Sequence, residues 1–173
     1  MKKITTLLLA ICGCGLLAYA QSQVSPTDRM FMDKAAQGGM AEVQLGQLAS
    51  EKAAEQPVKD FGQRMVKDHS QANDRLKNIA QRKGVTLPDS VSPKDKALYD
   101  RLSRLSGDAF DRAYMKAMVK DHDEDVAEFR KESKVARDTD VRSFASTTLP
   151  TLEDHLRIAK ETESKVSSES AHR

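Results

Sequence analysis

The sequence predicts an all-α protein built as a bundle of four long helices. Helix-favouring residues dominate a 173-residue chain that has only five Pro, eight Gly and no Trp. Apolar side chains recur at steps of three and four residues in four long stretches, which is the spacing of a buried helix face. A pentapeptide also occurs twice, at residues 65–69 and 118–122. The distance along the chain from one copy to the next fits one long helix plus its connection.

Residues 1–20 are typical of an export signal. Lys2 and Lys3 precede an apolar stretch, and Ala18-Tyr19-Ala20 forms a small-x-small cleavage site. The apolar stretch is too short to favour a membrane-spanning helix, so we expect no transmembrane segment after signal removal. We therefore expect a periplasmic or secreted protein. The alternative is a lipoprotein signal, with the mature chain anchored through Cys14.

Charge and cysteine content exclude several functions. Cys12 and Cys14 both lie in the signal, so the mature chain has no thiol. The signal carries two Lys and no acid, which leaves 26 basic and 26 acidic residues. This balance gives no footprint for nucleic acid, and we expect no such partner. Phosphate-loop and nucleophile motifs are absent, so the sequence assigns no catalytic residue and favours a non-enzymatic role.

The first two helices are predicted on either side of a tight connection. A polar linker, residues 21–27, leads into a helix from about residue 28 to residue 55. Pro57 opens the second helix, because proline fits the first helical turn. Gly84 ends it, since glycine adopts the left-handed conformation common after a helix. Mid-helix glycines in the first helix indicate close approach of another backbone or of a ligand.

A long connection, residues 85–107, follows the second helix, and Ser92-Pro93 starts a short helix within it. The third long helix is predicted from Asp108 to about residue 133. The fourth begins at residue 138 or 140, and Pro150 should bend it. Two hairpins joined by a crossover that carries a short helix predict a ferritin-like four-helix bundle over residues 28–161.

The remaining residues, 162–173, are rich in Ser, Glu and Lys. Such a composition buries little apolar surface, so the sequence predicts a disordered tail. His172 lies in this tail and is predicted to be solvated.

In each long helix one ionisable residue interrupts the apolar face near its middle. These residues are Glu42, His69, His122 and His155. Their spacing directs all four at the bundle axis, where an unpaired ionisable group is costly to bury. One carboxylate with three imidazoles is a ligand set for Zn, Fe, Mn or Cu. The sequence therefore predicts a metal site in a central layer.

The aspartates before the histidines leave an alternative open. Asp68, Asp121 and Asp154 each precede a histidine by one residue and can reach neighbouring helices. They can hold the imidazoles of a metal site by hydrogen bonds. Acid–imidazole bonds between helices can equally satisfy the layer without a metal and fix the helix register.

Two methionines are further candidate ligands. Met65 and Met118 lie four residues before His69 and His122, on the same helix faces. A thioether beside an imidazole favours copper. The alternative is that both methionines fill the apolar core.

Several motifs follow one another along the chain: Phe31, Gly38-Gly39, Glu42-Val43, Leu45-Gly46, two Met-Val-Lys-Asp-His copies, Gly84-Val85-x-Leu87-Pro88 and Thr148-Leu149-Pro150-x-Leu152-x-x-His155-Leu156. Together they resemble the bacterial domain-of-unknown-function family 4142 over about residues 28–161. The resemblance implies an exported, ferritin-like helical protein and supplies no established reaction.

Three hypotheses for function follow from these patterns. The first is an exported metal-binding or metal-handling protein that serves stress or envelope homeostasis. The second is a structural or interaction module whose acid–histidine layer only sets helix register. The third is a metal-dependent oxidoreductase, which the sequence favours least. Di-iron bundles carry Glu-x-x-His pairs, whereas Val66, Val119 and Leu152 stand three residues before the histidines.

We predict that export cleaves the chain after Ala20, so the mature N-terminus is Gln21 and the product is released by osmotic shock. Intact mass measurement of the released protein checks this. A membrane-bound product with diacylated Cys14 would overturn it.

Overall fold

A computed structural model describes residues 24–171 of the chain. These residues form five helices: α1 (Pro26–Lys52), α2 (Gln56–Lys83), α3 (Pro93–Leu102), α4 (Gly107–Val135) and α5 (Thr139–Ala171). No strand occurs among them, which confirms the all-α prediction. None of these helices is both long enough and apolar enough to cross a membrane. The predicted signal and His172 lie outside the described residues.

Short polar residues and glycine set several helix ends. Those at Ser92 and Gly84 lie where the sequence predicted them, whereas α1 begins and ends two to three residues earlier than predicted. Ser25 precedes α1, and its hydroxyl accepts a hydrogen bond from the Asp28 amide at 3.1 Å. Ser92 precedes α3 and accepts from the Asp95 amide at 3.2 Å. Each bond satisfies an amide that has no partner within its helix. Gly84 ends α2 with a φ of 65°, the left-handed conformation that glycine adopts readily.

The four long helices pack as two hairpins, α1 with α2 and α4 with α5, and α3 lies against α1 and α4. The hairpins also meet, since α2 packs on α5 and α1 on α4. Ion pairs from Arg64 to Asp154 and from Lys83 to Asp138 show that α2 and α5 run antiparallel. Helices α2 and α4 therefore run parallel, which requires the long connection with α3. The two copies of the repeated pentapeptide lie on these parallel helices.

Two buried aspartates tie each hairpin to the turn of the other. The Asp28 carboxylate, on α1, accepts from the Asp138 amide at 2.8 Å. The Asp111 carboxylate, on α4, accepts from the Glu55 amide at 2.8 Å. Both carboxylates are almost fully buried. The two bonds are related by one offset of 83 residues, from 28 to 111 and from 55 to 138. The hairpins are thus related by an approximate two-fold symmetry.

The C-terminal part of the domain extends further than the sequence predicted. Helix α5 continues to Ala171, past residue 162, where the disordered tail was expected. Thr162 and Val166 are 5% and 7% exposed, and Val166 packs in the apolar core. The prediction of disorder was wrong here. Ala159, Thr162 and Val166 continue the helical spacing of the buried face even though the composition is polar.

Two apolar clusters fill the bundle on either side of its middle. One contains residues such as Phe31 and Leu76, and the other contains residues such as Phe61 and Tyr114. On every long helix one buried polar residue separates the two clusters, and these residues are Glu42, His69, His122 and His155. The predicted polar layer therefore lies between two apolar halves of the core.

Glycines permit α1 and α2 to approach closely, as the sequence indicated. A Cβ atom added to Gly46 would lie 2.5 Å from the backbone oxygen of Gly62, and one added to Gly62 would lie 2.7 Å from that of Gly46. Real Cβ atoms do not reach such distances, so a side chain at either position would push the two backbones apart.

We predict that Gly46→Ala lowers the free energy of unfolding by about 1–3 kcal/mol, because the methyl group overpacks the helix contact. Gly38→Ala is the matched control, since a Cβ there meets no atom within 4 Å. It should stabilise the helix by about 0.5–1 kcal/mol. Urea unfolding of both variants checks this. Equal stability of the two would contradict the close backbone contact.

Candidate metal centre

Three histidines from three helices meet in the polar layer. His69 lies on α2, His122 on α4 and His155 on α5, and they are 6%, 0% and 1% exposed. The distances between ring centroids are 5.8 Å for His69–His122 and 5.4 Å for each of the other two pairs. One ring nitrogen of each histidine lies within 4.8 Å of the corresponding atoms of the other two. The helical spacing in the sequence predicted that these residues face the bundle axis.

The sequence predicts that Pro150 bends the last helix before His155. In the structure, α5 continues through Pro150 as a single helix. His155 is buried, as the sequence predicted. The bend itself stays a prediction.

One nitrogen of each ring has no hydrogen-bond partner. These atoms are His69 Nε2, His122 Nε2 and His155 Nδ1, and all are buried. A buried polar atom left without a partner destabilises a fold by about 1–3 kcal/mol. Three such nitrogens on rings that adjoin one another point to a ligand that they share.

Hydrogen bonds on the far sides of two rings determine which nitrogen remains available. His122 Nδ1 lies 2.9 Å from the Met118 carbonyl oxygen. Because a carbonyl only accepts, Nδ1–H donates and Nε2 keeps its lone pair. His155 Nε2 lies 2.9 Å from Asp68 Oδ2, so Nε2–H donates to the carboxylate and Nδ1 keeps its lone pair. Carboxylates and carbonyls orient metal-binding histidines in this way.

Burial keeps the three imidazoles neutral. Burial, and then the neighbouring histidines, lower the pKa of His69 well below its usual value. Burial and the charge of His155 lower the pKa of His122 to about 4. The pKa of His155 is also lowered by burial, although its bond to Asp68 acts in the opposite direction. Metal ions bind the neutral form of imidazole, so the rings are in the right state at neutral pH.

The size of the cluster is compatible with a metal ion after a small adjustment. Zinc–nitrogen bonds of about 2.0–2.1 Å in a tetrahedron place the ligand nitrogens about 3.3 Å apart. The ligand atoms of the three histidines lie within 4.8 Å of one another. The rings therefore need to close by up to about 1.5 Å to bind an ion.

Glu42, the predicted carboxylate ligand, is buried in the layer, and its Oε2 atom has no hydrogen-bond partner. Burial raises the pKa of Glu42 well above its usual value, and the charge of Asp121 and a hydrogen bond to it raise it further. Two carboxyl groups that share a hydrogen bond require a proton between them. Glu42 is not in the group whose ligand atoms come together. The structure thus brings together three of the four predicted ligands.

The three aspartates that precede the histidines have different partners. Asp68 reaches across from α2 to His155, as predicted. Asp121 bonds the α1 glutamate. Asp154 is partly exposed and pairs with Arg157 at 2.6 Å. Within the described part of the chain, the predicted acid–imidazole network therefore forms at one histidine rather than at three.

The two methionines that were candidate soft ligands are fully buried in the apolar cluster next to the layer. Met118 contributes its backbone oxygen to the site through the bond to His122. That their sulfur atoms bind a metal stays a prediction.

A cavity of about 60 Å³ lies between α2 and α5 beside the histidines. Its lining residues are Asp68, His69, Gln71, Ala72, Arg75, Thr148, Thr151, Leu152 and His155. Thr148 belongs to the sequence motif around Pro150. The sequence gives no signal for Arg75, because an arginine on an exposed helix face is common.

Comparisons with known proteins identify a family and a related fold. Residues 16–162 match a domain of unknown function, DUF4142. The structure resembles the crystal structure of a DUF305 fragment from Deinococcus radiodurans, with a TM-score of 0.73 and 17% sequence identity. The alignment covers 82% of this chain and 98% of that one. At this identity the likeness concerns the fold alone. No curated protein matches the chain.

We predict that Asp68→Ala weakens metal affinity by about 10- to 100-fold, because His155 loses the group that fixes its tautomer. Asp74→Ala removes an exposed acid from the same helix and should leave affinity unchanged. Competition titration with a chromophoric chelator measures both variants. Equal affinities would show that the Asp68–His155 bond does not prepare a metal ligand.

Proposed function

The chain belongs to the DUF4142 family, and we propose that it is an exported protein that binds a transition-metal ion at its three buried histidines. One observation carries the proposal: three rings on three helices each leave one nitrogen without a partner. Those rings are held next to one another in the core. Burial keeps them neutral, and hydrogen bonds orient two of them. A transition-metal ion binds neutral imidazoles that hydrogen bonds orient and whose free nitrogens lie close together.

The ligand set indicates which ions bind best. Imidazole suits Zn, Cu, Fe and Ni, whereas carboxylate and water suit Mn and Mg. Glu42 does not belong to the group of converging ligand atoms, so the protein ligands of the site are imidazole nitrogens. We therefore expect copper and zinc to bind more tightly than iron(II), and iron(II) more tightly than manganese.

The arrangement of helices supports a ferritin-like bundle. Each hairpin is antiparallel, and a long connection makes α2 and α4 parallel, as in that topology. The site nevertheless lacks the Glu-x-x-His pairs of di-iron bundles. We therefore propose metal handling, such as storage or buffering, in preference to oxygen activation at two irons.

The proposed location is the cell envelope. It rests on the export signal in residues 1–20, with its two lysines, apolar stretch and Ala18-Tyr19-Ala20 site. A protein that handles copper or zinc outside the cytoplasm works where these ions first arrive.

A structural role of the layer is the second candidate. The 2.9 Å bond between Asp68 and His155 favours it, because this bond links α2 to α5 without a metal. Within the described residues His69 and His122 do not follow the pattern, since the acid–imidazole bond forms at His155 alone and His122 bonds a backbone carbonyl instead. Thermal stability separates the two candidates.

We predict that Zn or Cu at about 100 times its dissociation constant stabilises the fold by about 2.7 kcal/mol. His69→Ala and His122→Ala should each remove most of this gain. Glu42→Gln is the matched control and should keep it, because Glu42 lies outside the group of converging ligand atoms. Thermal melts of all four proteins, with metal and with chelator, measure the effect.

The same melts at lower pH test the protonation state. Protons compete with the ion for the imidazoles, so affinity falls as pH falls. An ordinary histidine titrates near pH ~6.5. Because the pKa of His122 lies at about 4, we expect the metal-induced gain to persist below pH 6.

A wild-type melt that no metal moves at neutral pH would contradict the metal site. A large loss of stability in metal-free His122→Ala would then favour the structural role.

A further inference from the structure

We propose that the groove between α3 and α4 binds a single-chain anionic amphiphile, such as a fatty acid. Its chain lies on the apolar floor of the groove, and its head group lies at Arg101 and Lys116. The groove has a volume of about 700 Å³. None of the three clustered histidines lines it. The inference therefore does not rest on the proposed metal site.

Small side chains keep the groove open. A short connection joins the end of α3 to the start of α4, and Lys94 near the start of α3 pairs with Glu124 of α4 at 3.3 Å. The two helices therefore run antiparallel. The residues that line the groove from them include three alanines, Ala97, Ala113 and Ala117. Alanine leaves space between helices that a larger apolar side chain would fill.

The floor of the groove is apolar and partly exposed. Leu98 and Leu105 belong to α3 and its following turn, and Ala113 and Ala117 belong to α4. All four are half-buried and pack against one of the two apolar clusters of the core. Their outward surfaces still meet water, so covering them with an apolar chain is favourable.

The charged residues around this floor are mostly basic. Four basic residues and one acid line the groove, and these are Lys94, Arg101, Lys116, Lys120 and Asp121. The predicted mature chain as a whole carries equal numbers of basic and acidic residues, so the groove holds a local excess of positive charge. Lysine and arginine lay their stems along apolar surface and keep their charged ends in water. The groove thus matches a ligand with an apolar chain and a negative head group.

Two of the four basic residues are free to bind that head group. Lys94 and Lys120 both pair with Glu124. Arg101 and Lys116 are exposed, and among the described residues neither side chain has an ion-pair partner. Counted from the Lys94 pair in opposite directions along the antiparallel helices, Arg101 and Lys116 come to the same level, seven and eight residues away. An anionic head group therefore binds between them.

The size of the groove favours a small ligand over a protein partner. Its volume of about 700 Å³ lies within the roughly 300–1,000 Å³ of pockets for small organic molecules. Ten residues line it, whereas a stable protein interface uses about 20–30 residues on each side.

Calorimetric titration of the mature chain with laurate, below its micelle concentration and with chelator present, tests this inference. We expect saturable binding at one site. Acetate has the head group without the chain, and dodecyltrimethylammonium has the same chain with a positive head group. Each should bind about tenfold or more weakly than laurate, because each lacks one of the two contacts.

Charge variants test the position of the head group. Replacing both free cations, Arg101→Gln with Lys116→Gln, should raise the dissociation constant for laurate about five- to thirtyfold, since each is a solvated charge. Lys67→Gln with Lys77→Gln is the matched control. It removes two exposed lysines of α2 that lie outside the groove, and laurate binding should not change.

A filling variant tests the position of the chain. Ala117→Phe should abolish laurate binding, because the ring occupies the floor of the groove. Ala127→Phe is the matched control, at an exposed position of the same helix. Methyl NMR of the unaltered chain locates the ligand without a variant. Laurate should shift the signals of Ala113 and Ala117 and leave that of Ala127 in place.

Several outcomes would overturn the proposal. They are a wild type that binds no laurate, equal affinity for laurate and dodecyltrimethylammonium, and unchanged laurate binding in a folded Ala117→Phe variant. Binding to vesicles of anionic phospholipid without binding of laurate would show a membrane contact instead of a site for one amphiphile. Each of these results leaves the metal-dependent melts, and so the proposed metal site, unaffected.

Discussion

The unpartnered nitrogens of His69, His122 and His155 impose the constraint on which the middle of the bundle depends. Three buried ring nitrogens without partners in an apolar core need a shared ligand, or the fold loses the hydrogen bonds they made in water. The two apolar clusters hold the rings in place from both sides. Backbone and carboxylate acceptors behind His122 and His155 then aim the free nitrogens inward. Packing fixes where the three rings lie, and these two hydrogen bonds fix which nitrogen of His122 and of His155 is free.

The site breaks the symmetry of the scaffold that carries it. The reciprocal bonds of Asp28 and Asp111 relate the hairpins by an offset of 83 residues. The histidines do not follow this two-fold relation, since one hairpin carries His69 and the other carries both His122 and His155. A carboxyl does follow it: Asp125 corresponds to Glu42, and burial with the charge of Asp121 raises the pKa of Asp125 to about 8. The symmetric part of the layer thus holds carboxyl groups, and the asymmetric part holds imidazoles.

Helical spacing in the sequence predicts which side chains face the bundle interior. It does not predict which residues of neighbouring helices those side chains contact. Spacing of three and four residues is enough to place His69, His122 and His155 on inward faces at one level. Spacing does not predict which neighbour a side chain contacts, so the sequence groups Glu42 with the histidines, whereas Asp121 of α4 acts on Glu42 in the structure. The capping role of Asp111 depends on a contact with the distant Glu55 and has no local signal. The polar composition after residue 161 predicts disorder, whereas the helical spacing of Thr162 and Val166, which are both buried, continues α5.

Anomalous scattering from a crystal soaked in Zn or Cu locates the ion directly. The expected result is one strong peak about 2.0–2.1 Å from His69 Nε2, His122 Nε2 and His155 Nδ1. The carboxyl group of Glu42 should lie outside the coordination sphere. A peak confined to surface acids, with ordered water between the three rings, would contradict the metal centre.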